Sequence, residues 1–184
     1  MYSIRRYNSK DSENLKRICV ETANEVFRGY AFIEKALTEV YCRYYIEQEP
    51  ECCFVVVDQE DAAKGYILCA KNYDAYKRVF KKKYLKTWNL ATIIMGNFAI
   101  KSIKDYVHEY PAHLHIDLLP ECQRQGYGRK LVESLTSFLR EQKITGLMLH
   151  VSMENERARA FYAKCGFHVI YADKHNVLMG MKIE

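Results

Sequence analysis

Glu121-Cys122-Gln123-Arg124-Gln125-Gly126-Tyr127-Gly128-Arg129 is a glycine-bearing turn that follows a strand pattern and precedes a helical one. Glycines let a chain turn tightly and approach a ligand, and the unpaired N–H groups at a helix N-terminus favour an anion such as phosphate. The spacing is neither G-x-x-x-x-G-K-[ST] nor G-x-G-x-x-G, so an amide-held diphosphate of another kind is expected. Just upstream, His113, His115 and Asp117 alternate, which puts three ionisable side chains on one face of a strand. Such a face could line a pocket that binds or deprotonates an amine, or it could begin a metal site. Tight zinc sites want three or four ligands, and neither H-E-x-x-H nor an obvious cysteine partner accompanies these residues, so no metal is expected.

These groups need elements to hold them. Tyr2 to Arg6 alternates as a strand, and Asn8, Ser9 and Asp11 offer caps to a helix with Leu15, Ile18, Cys19, Thr22 and Val26 at helical spacing. A second helical pattern runs from Ile33 to Gln48 and stops before Pro50. Cys52 to Val57 and Gly65 to Ala70, separated by polar turn residues, read as a hairpin. Lys71 to Tyr110 breaks that rhythm and reads as a helical insertion, rich first in Tyr and Lys and then apolar around Ile93 to Ile100. The strand carrying His113 to Pro120 follows, then the glycine turn, a helix from Gly128 to Gln142 and a strand over Leu147 to Val151. Glu154 to Lys164 is a last helix, stopped by Gly166, and two strands close the chain around Phe167 to Tyr171 and Val177 to Lys182.

The 184 residues, 49% hydrophobic and 28% charged, suit one soluble domain (1–184) with a substantial core. No apolar run is long enough for a membrane span and the first residues lack a secretory apolar stretch, so a cytoplasmic location is expected. Seven cysteines, an odd number without C-x-x-C spacing, read as small buried hydrophobes in a reducing compartment. The net charge of +5 is concentrated: residues 75–104 hold eight Lys or Arg and no acid, so the rest of the chain is net acidic. A local basic patch suits an anionic ligand better than nucleic acid, and no nucleic-acid or membrane partner is expected.

Gln123-Arg124-Gln125-Gly126-Tyr127-Gly128 resembles the Q/R-x-x-G-x-G/A signature of the GNAT superfamily of acyl-CoA-dependent N-acetyltransferases. Two further blocks fit in order: Ile116 to Glu121, similar to that family's fourth strand and its Pro-Glu exit, and Asn155 through Phe161-Tyr162 to Gly166-Phe167, similar to its last conserved helix. The resemblance is strong over residues 113–170.

It implies an α/β fold with a mixed sheet splayed between strands four and five, helices on both faces, and acetyl-CoA as cosubstrate. By position, Ile116, Asp117 and Leu118 would present main chain to the pantetheine and acetyl group, an N–H near Leu118 or Leu119 would stabilise the oxyanion, and Arg124, Gln125, Gly126, Tyr127, Gly128 and Arg129 would wrap the pyrophosphate. Asn155 would contact the cofactor arm and Tyr162 would protonate the leaving thiolate. The general base is open between His150, standing where relatives often carry a carboxylate, and Asp117, with direct transfer and no acyl-cysteine. The acceptor expected is a primary amine of a small molecule or peptide, and Tyr30, Phe32, Tyr41, Tyr44, Tyr45, Tyr73, Tyr76, Tyr84 and Trp88 are either the walls of an aromatic pocket for it or ordinary aromatic packing. A non-catalytic acyl-CoA-binding module is the alternative. The oligomeric state is left open, with a homodimer among the options.

Overall fold

A computed structural model of the chain describes residues 1–84 and 105–184. Trp88 and the apolar half of the insertion lie outside the described residues. The elements are β1 (Ser3–Arg6), α1 (Ser12–Thr22), α2 (Ala31–Thr38), α3 (Tyr44–Gln48), β2 (Phe54–Val57), β3 (Ala63–Ala70), α4 (Tyr73–Val79), β4 (Ala112–Leu118), α5 (Tyr127–Glu141), β5 (Gly146–Ser152), α6 (Glu156–Lys164), β6 (His168–Ala172) and β7 (Asn176–Lys182). The strands form one seven-stranded sheet in the order β1-β2-β3-β4-β5-β7-β6. Neighbours are antiparallel except β4 and β5, which run parallel. This is the mixed α/β architecture that the resemblance implies.

Period-two alternation along the central strands feeds two cores, one on each face of the sheet. On the first face Tyr66, Leu68 and Ala70 of β3 meet Leu15, Ile18 and Cys19 of α1, Leu37 of α2, Tyr44 and Tyr45 of α3, and Tyr73 and Tyr76 of α4. On the second, Ile67 and Cys69 meet Leu131, Leu135, Phe138 and Leu139, one stripe of α5, with Ala158, Phe161 and Tyr162 of α6 packed at the edge. Six of the seven cysteines are buried, and Cys165 is half-buried.

Element boundaries move where local chemistry competes with periodicity. The helix expected from Ile33 to Gln48 widens into a π-helical turn over Glu39–Arg43 that joins α2 to α3. Arg43 bridges Glu39 and Glu47 there, at 2.9 and 2.5 Å. α1 stops at Thr22, short of Val26, and a separate 3-10 turn takes Glu25–Phe27. Ahead of α1, Asn8 and Asp11 form a capping box, and Asp11 accepts two guanidinium bonds from Arg5 at 2.7 and 2.9 Å. The first part of the insertion is helical, with α4 running into a π-helical turn over Phe80–Tyr84.

Candidate active site

β4 and β5 pair only at Ala112↔Leu147 and His113↔Met148, after which they part. An open wedge therefore lies between the later residues of the two strands. The register shows which backbone groups face it. Leu119 N–H donates to Lys64 O at 2.9 Å, and the β3–β4 register runs from Gly65↔Leu118 to Ala70↔His113. Hydrogen-bonded pairs alternate along antiparallel strands, so Asp117 and His115 also turn their main chain to β3, whereas Ile116 and Leu118 turn theirs to β5 and the wedge. Two expectations are corrected on this ground: the backbone of Asp117 is not available to a ligand in the wedge, and the Leu119 amide is already occupied. The Leu118 amide is left as the donor that faces the gap.

The glycine turn sits at the mouth of this wedge. Arg124 has φ 59° and Gly126 φ 83°, both left-handed, and they bend the chain so that α5 starts at Tyr127. The first bond of α5 runs from Lys130 N to Gly126 O at 3.1 Å, which leaves the N–H groups of Gly126 to Arg129 without an intrahelical acceptor. Gly128 is needed for space: a Cβ there would stand 3.1 Å from the Phe161 ring, so this glycine lets α5 and α6 close on each other. The neighbouring side chains are mostly tied elsewhere. Tyr127 Oη donates to Tyr2 O at 3.2 Å, Gln125 Nε2 to Glu121 O at 2.6 Å, and Arg129 Nε to Glu133 at 3.0 Å. Gln123, in the motif but not singled out as a site residue, ties the turn to the end of β4: its Nε2 donates to Leu118 O at 2.8 Å while its Oε1 accepts from Arg157.

On the first face of the sheet a cavity of about 630 Å³ adjoins the wedge, lined among others by Tyr41, Tyr45, Tyr76, His113, His115 and His150. Burial, with a smaller contribution from the neighbouring histidines, pushes the His113 imidazole down to about 3; its Nδ1 lies 3.1 Å from Tyr45 Oη. Burial also lowers His150, against a weak opposing pull from Asp173, so it is a neutral imidazole at pH 7. The two rings lie 6.4 Å apart. His115 goes the other way: although burial opposes it, Asp117 and then Cys19 raise it to about 10. Asp117 Oδ2 lies 2.9 Å from His115 Nε2 and accepts from Tyr66 Oη at 2.5 Å. Of the two candidate bases, Asp117 is thus engaged by a cation and a phenol, and His150 faces the cavity neutral.

Tyr162 belongs to the second face, packed against Phe161 and Phe167 with ring centroids 5.2 and 5.9 Å away. Burial, followed by the Asp117 charge, drives its phenol well above the ordinary tyrosine range, so it keeps its proton. Asn155 caps α6, its side chain accepting from Ala158 N at 3.0 Å, which commits the carbonyl end of that amide to the fold. The aromatic pocket is smaller than expected. Tyr30 and Phe32 are exposed and touch each other, and Tyr44, Tyr73 and Tyr84 are core residues, so Tyr41, Tyr45 and Tyr76 remain at the cavity. Residues that sequence reasoning missed are Cys19, Tyr66 and the β6–β7 turn Asp173 to His175, which lines the outer cavity. No local pattern marks them, because each reaches the site from a distant element.

A strand wedge with amides lacking intrahelical acceptors at its mouth and a histidine-lined cavity behind it has the shape and polarity to receive an extended anionic ligand between two strands. The chain belongs to the acetyltransferase (GNAT) family, whose model matches residues 20–167. It is 24% identical over 163 residues to an uncharacterized N-acetyltransferase of Archaeoglobus fulgidus, covering 87% of this chain and 88% of that one. Among solved structures it is similar to SsHAT, at 28% identity and TM-score 0.88 over 100% of this chain and 98% of that chain. It also shares its fold with the PaiA N-acetyltransferase of Thermoplasma acidophilum, solved with coenzyme A, at 17% identity and TM-score 0.64 over 99% of both chains.

Proposed function

We propose that the protein transfers the acetyl group of acetyl-CoA directly to a primary amine of a small molecule or peptide. The observation that carries this reading is the confinement of β4–β5 pairing to two residue pairs, which turns the Ile116 backbone and the Leu118 N–H toward the gap, where a pantetheine arm can bond as an extra strand; the Leu118 carbonyl is taken by Gln123. The residues present fit the cosubstrate: the amides of Gly126 to Arg129 suit a pyrophosphate, and the close approach at Gly128 keeps bulk out of its path. When bound, acetyl-CoA supplies an activated thioester. The chain supplies the rest.

The Leu118 N–H, fixed by the ladder to β3, is placed to stabilise the negative charge that develops on the thioester oxygen; a preorganised amide in a dry cleft acts most strongly there. An alkylammonium must lose a proton before it attacks, and His150, neutral and facing the cavity, accepts it directly or through water. Tyr162, held protonated from the opposite face, donates to the departing thiolate. Asp117 acts as a positioning residue here, since His115 and Tyr66 hold its carboxylate. The amine enters through the cavity of about 630 Å³, a size that admits a small molecule or a peptide end.

The test is incubation of the purified protein with acetyl-CoA and a pooled panel of amino sugars, polyamines, amino acids and peptides, with products read by mass. A product heavier by one acetyl group is expected. Acetyl-CoA binding without any product favours a binding module, and failure to bind acetyl-CoA overturns the reading.

A further inference from the structure

We propose that Cys19, His115 and Asp117 form a site for a divalent cation of the zinc class. Each offers one ligand atom, and these atoms all lie within 4.8 Å of one another. The set joins α1 to β4, a pairing that tertiary packing alone creates. Its chemistry is selective, because one thiolate, one imidazole and one carboxylate suit zinc or cobalt and do not suit magnesium or calcium.

The geometry leaves room for a better partner. His115 Nε2 is buried and lies 2.9 Å from Asp117 Oδ2 as an ion pair, but makes no hydrogen bond. A buried polar atom without a hydrogen bond is uncommon in a folded protein. Around a tetrahedral ion the edges between ligand atoms are about 3.3 to 3.6 Å, so the His115–Asp117 contact need open by only about half an ångström. The surrounding groups already orient the ligands. Tyr66 Oη donates to Asp117 Oδ2, the Tyr41 ring lies against the His115 ring at 5.1 Å and 30°, and Cys42 Sγ lies 3.8 Å from Tyr66 Oη. Partners of that kind fix the direction of metal ligands. His115 also lines the cavity, so the three-donor set sits behind the cavity wall.

The other such cluster among the described residues, Glu49, Glu51 and Cys52, is already committed: Glu49 accepts from Tyr44 Oη and Lys71 N, and Glu51 from Lys71 Nζ. Cys52→Ser is therefore the control. The inference stands apart from acetyl transfer, and its test needs neither acetyl-CoA nor turnover. The full chain is equilibrated with zinc, passed through a desalting column and analysed by elemental mass spectrometry, and cobalt(II) is titrated in parallel. About one zinc per chain is expected, lost at least tenfold in Cys19→Ser and in His115→Gln and kept in Cys52→Ser. Cobalt should give the intense visible bands of a tetrahedral site and a thiolate charge-transfer band that Cys19→Ser removes. No zinc retained, equal retention in all three variants, or a wild-type cobalt complex without thiolate absorption each overturns the proposal. The last readout needs no variant to fold.

Discussion

The two sides of the β4–β5 wedge are built on different principles. At its mouth, the turn from Gln123 to Arg129 presents backbone: the amides of Gly126 to Arg129 lack an intrahelical acceptor, while Tyr127, Gln125 and Arg129 send their side chains to other partners. On the histidine side the polar groups are side chains, and His113, His115 and His150 differ in charge because of what surrounds each one. A backbone device tolerates many residues and depends on a few conformations. A side-chain device depends on every neighbour.

The sharpest way to break this contrast is at Tyr162, the buried phenol of the second face proposed as the proton donor. Tyr162→Phe should lower kcat about 10²-fold or more while leaving the KM for acetyl-CoA unchanged, read by steady-state kinetics on the identified acceptor. Wild-type turnover in this variant would remove the phenol from the mechanism.

His150→Gln should follow, with a loss of about 10²-fold in kcat/KM. Because burial lowers the His150 pKa, the base form persists below pH 6.5 and the wild-type rate should fall only at more acid pH. The variant should lack that acid limb; an unchanged profile would assign the proton to another group.

On the backbone side, Gly128→Val should act by crowding. A side chain placed 3.1 Å from Phe161 forces α5 and α6 apart at a cost of about 1 to 3 kcal/mol. Acetyl-CoA affinity measured by calorimetry should drop, and an affinity equal to wild type would show that the close approach is not part of the cradle.

Stability against pH separates the histidines. His113, lowered to about 3, favours the fold above pH 6.5 and loses that contribution as pH falls from about 6.5 toward 3. His115, raised to about 10, does the reverse: its contribution is complete below pH 6.5 and fades as pH rises toward about 10. Denaturant midpoints measured with chelator present should form a dome, sloping by at most about 1.4 kcal/mol per pH unit for each group. His113→Gln should flatten the acid side and His115→Gln the alkaline side.

The smallest effect is expected at Asn155. Asn155→Ala removes the cap on Ala158 N and should cost about 1 kcal/mol of stability. A larger change in acetyl-CoA affinity than in stability would assign its free amide to the ligand as well.

Much of this molecule was legible from residue order. Alternation marked β4, the stripe Leu131, Leu135, Phe138 and Leu139 marked α5, and Gly126 with Gly128 marked the turn between them, because these features depend on neighbours a few residues away. The splay needed the resemblance of three ordered blocks to a family, since no single segment encodes the parting of two strands. The same limit explains the errors. Tyr30 and Phe32 have the aromatic character of pocket residues but sit at the exposed start of α2, and the Leu119 amide looked available until the β3 register took it.

What the sequence determined by itself, then, is the order of elements, the apolar stripes of the helices and the glycine turn ahead of α5, all consequences of periodicity and local backbone preference. Only the tertiary structure decided that His113 and His150 are neutral, that Asp117 is bound by His115 and Tyr66, and that Cys19 of α1 arrives beside them. Charge state and ligand geometry depend on burial and on atoms brought together from remote parts of the chain, and those contacts exist only once both faces of the sheet have packed.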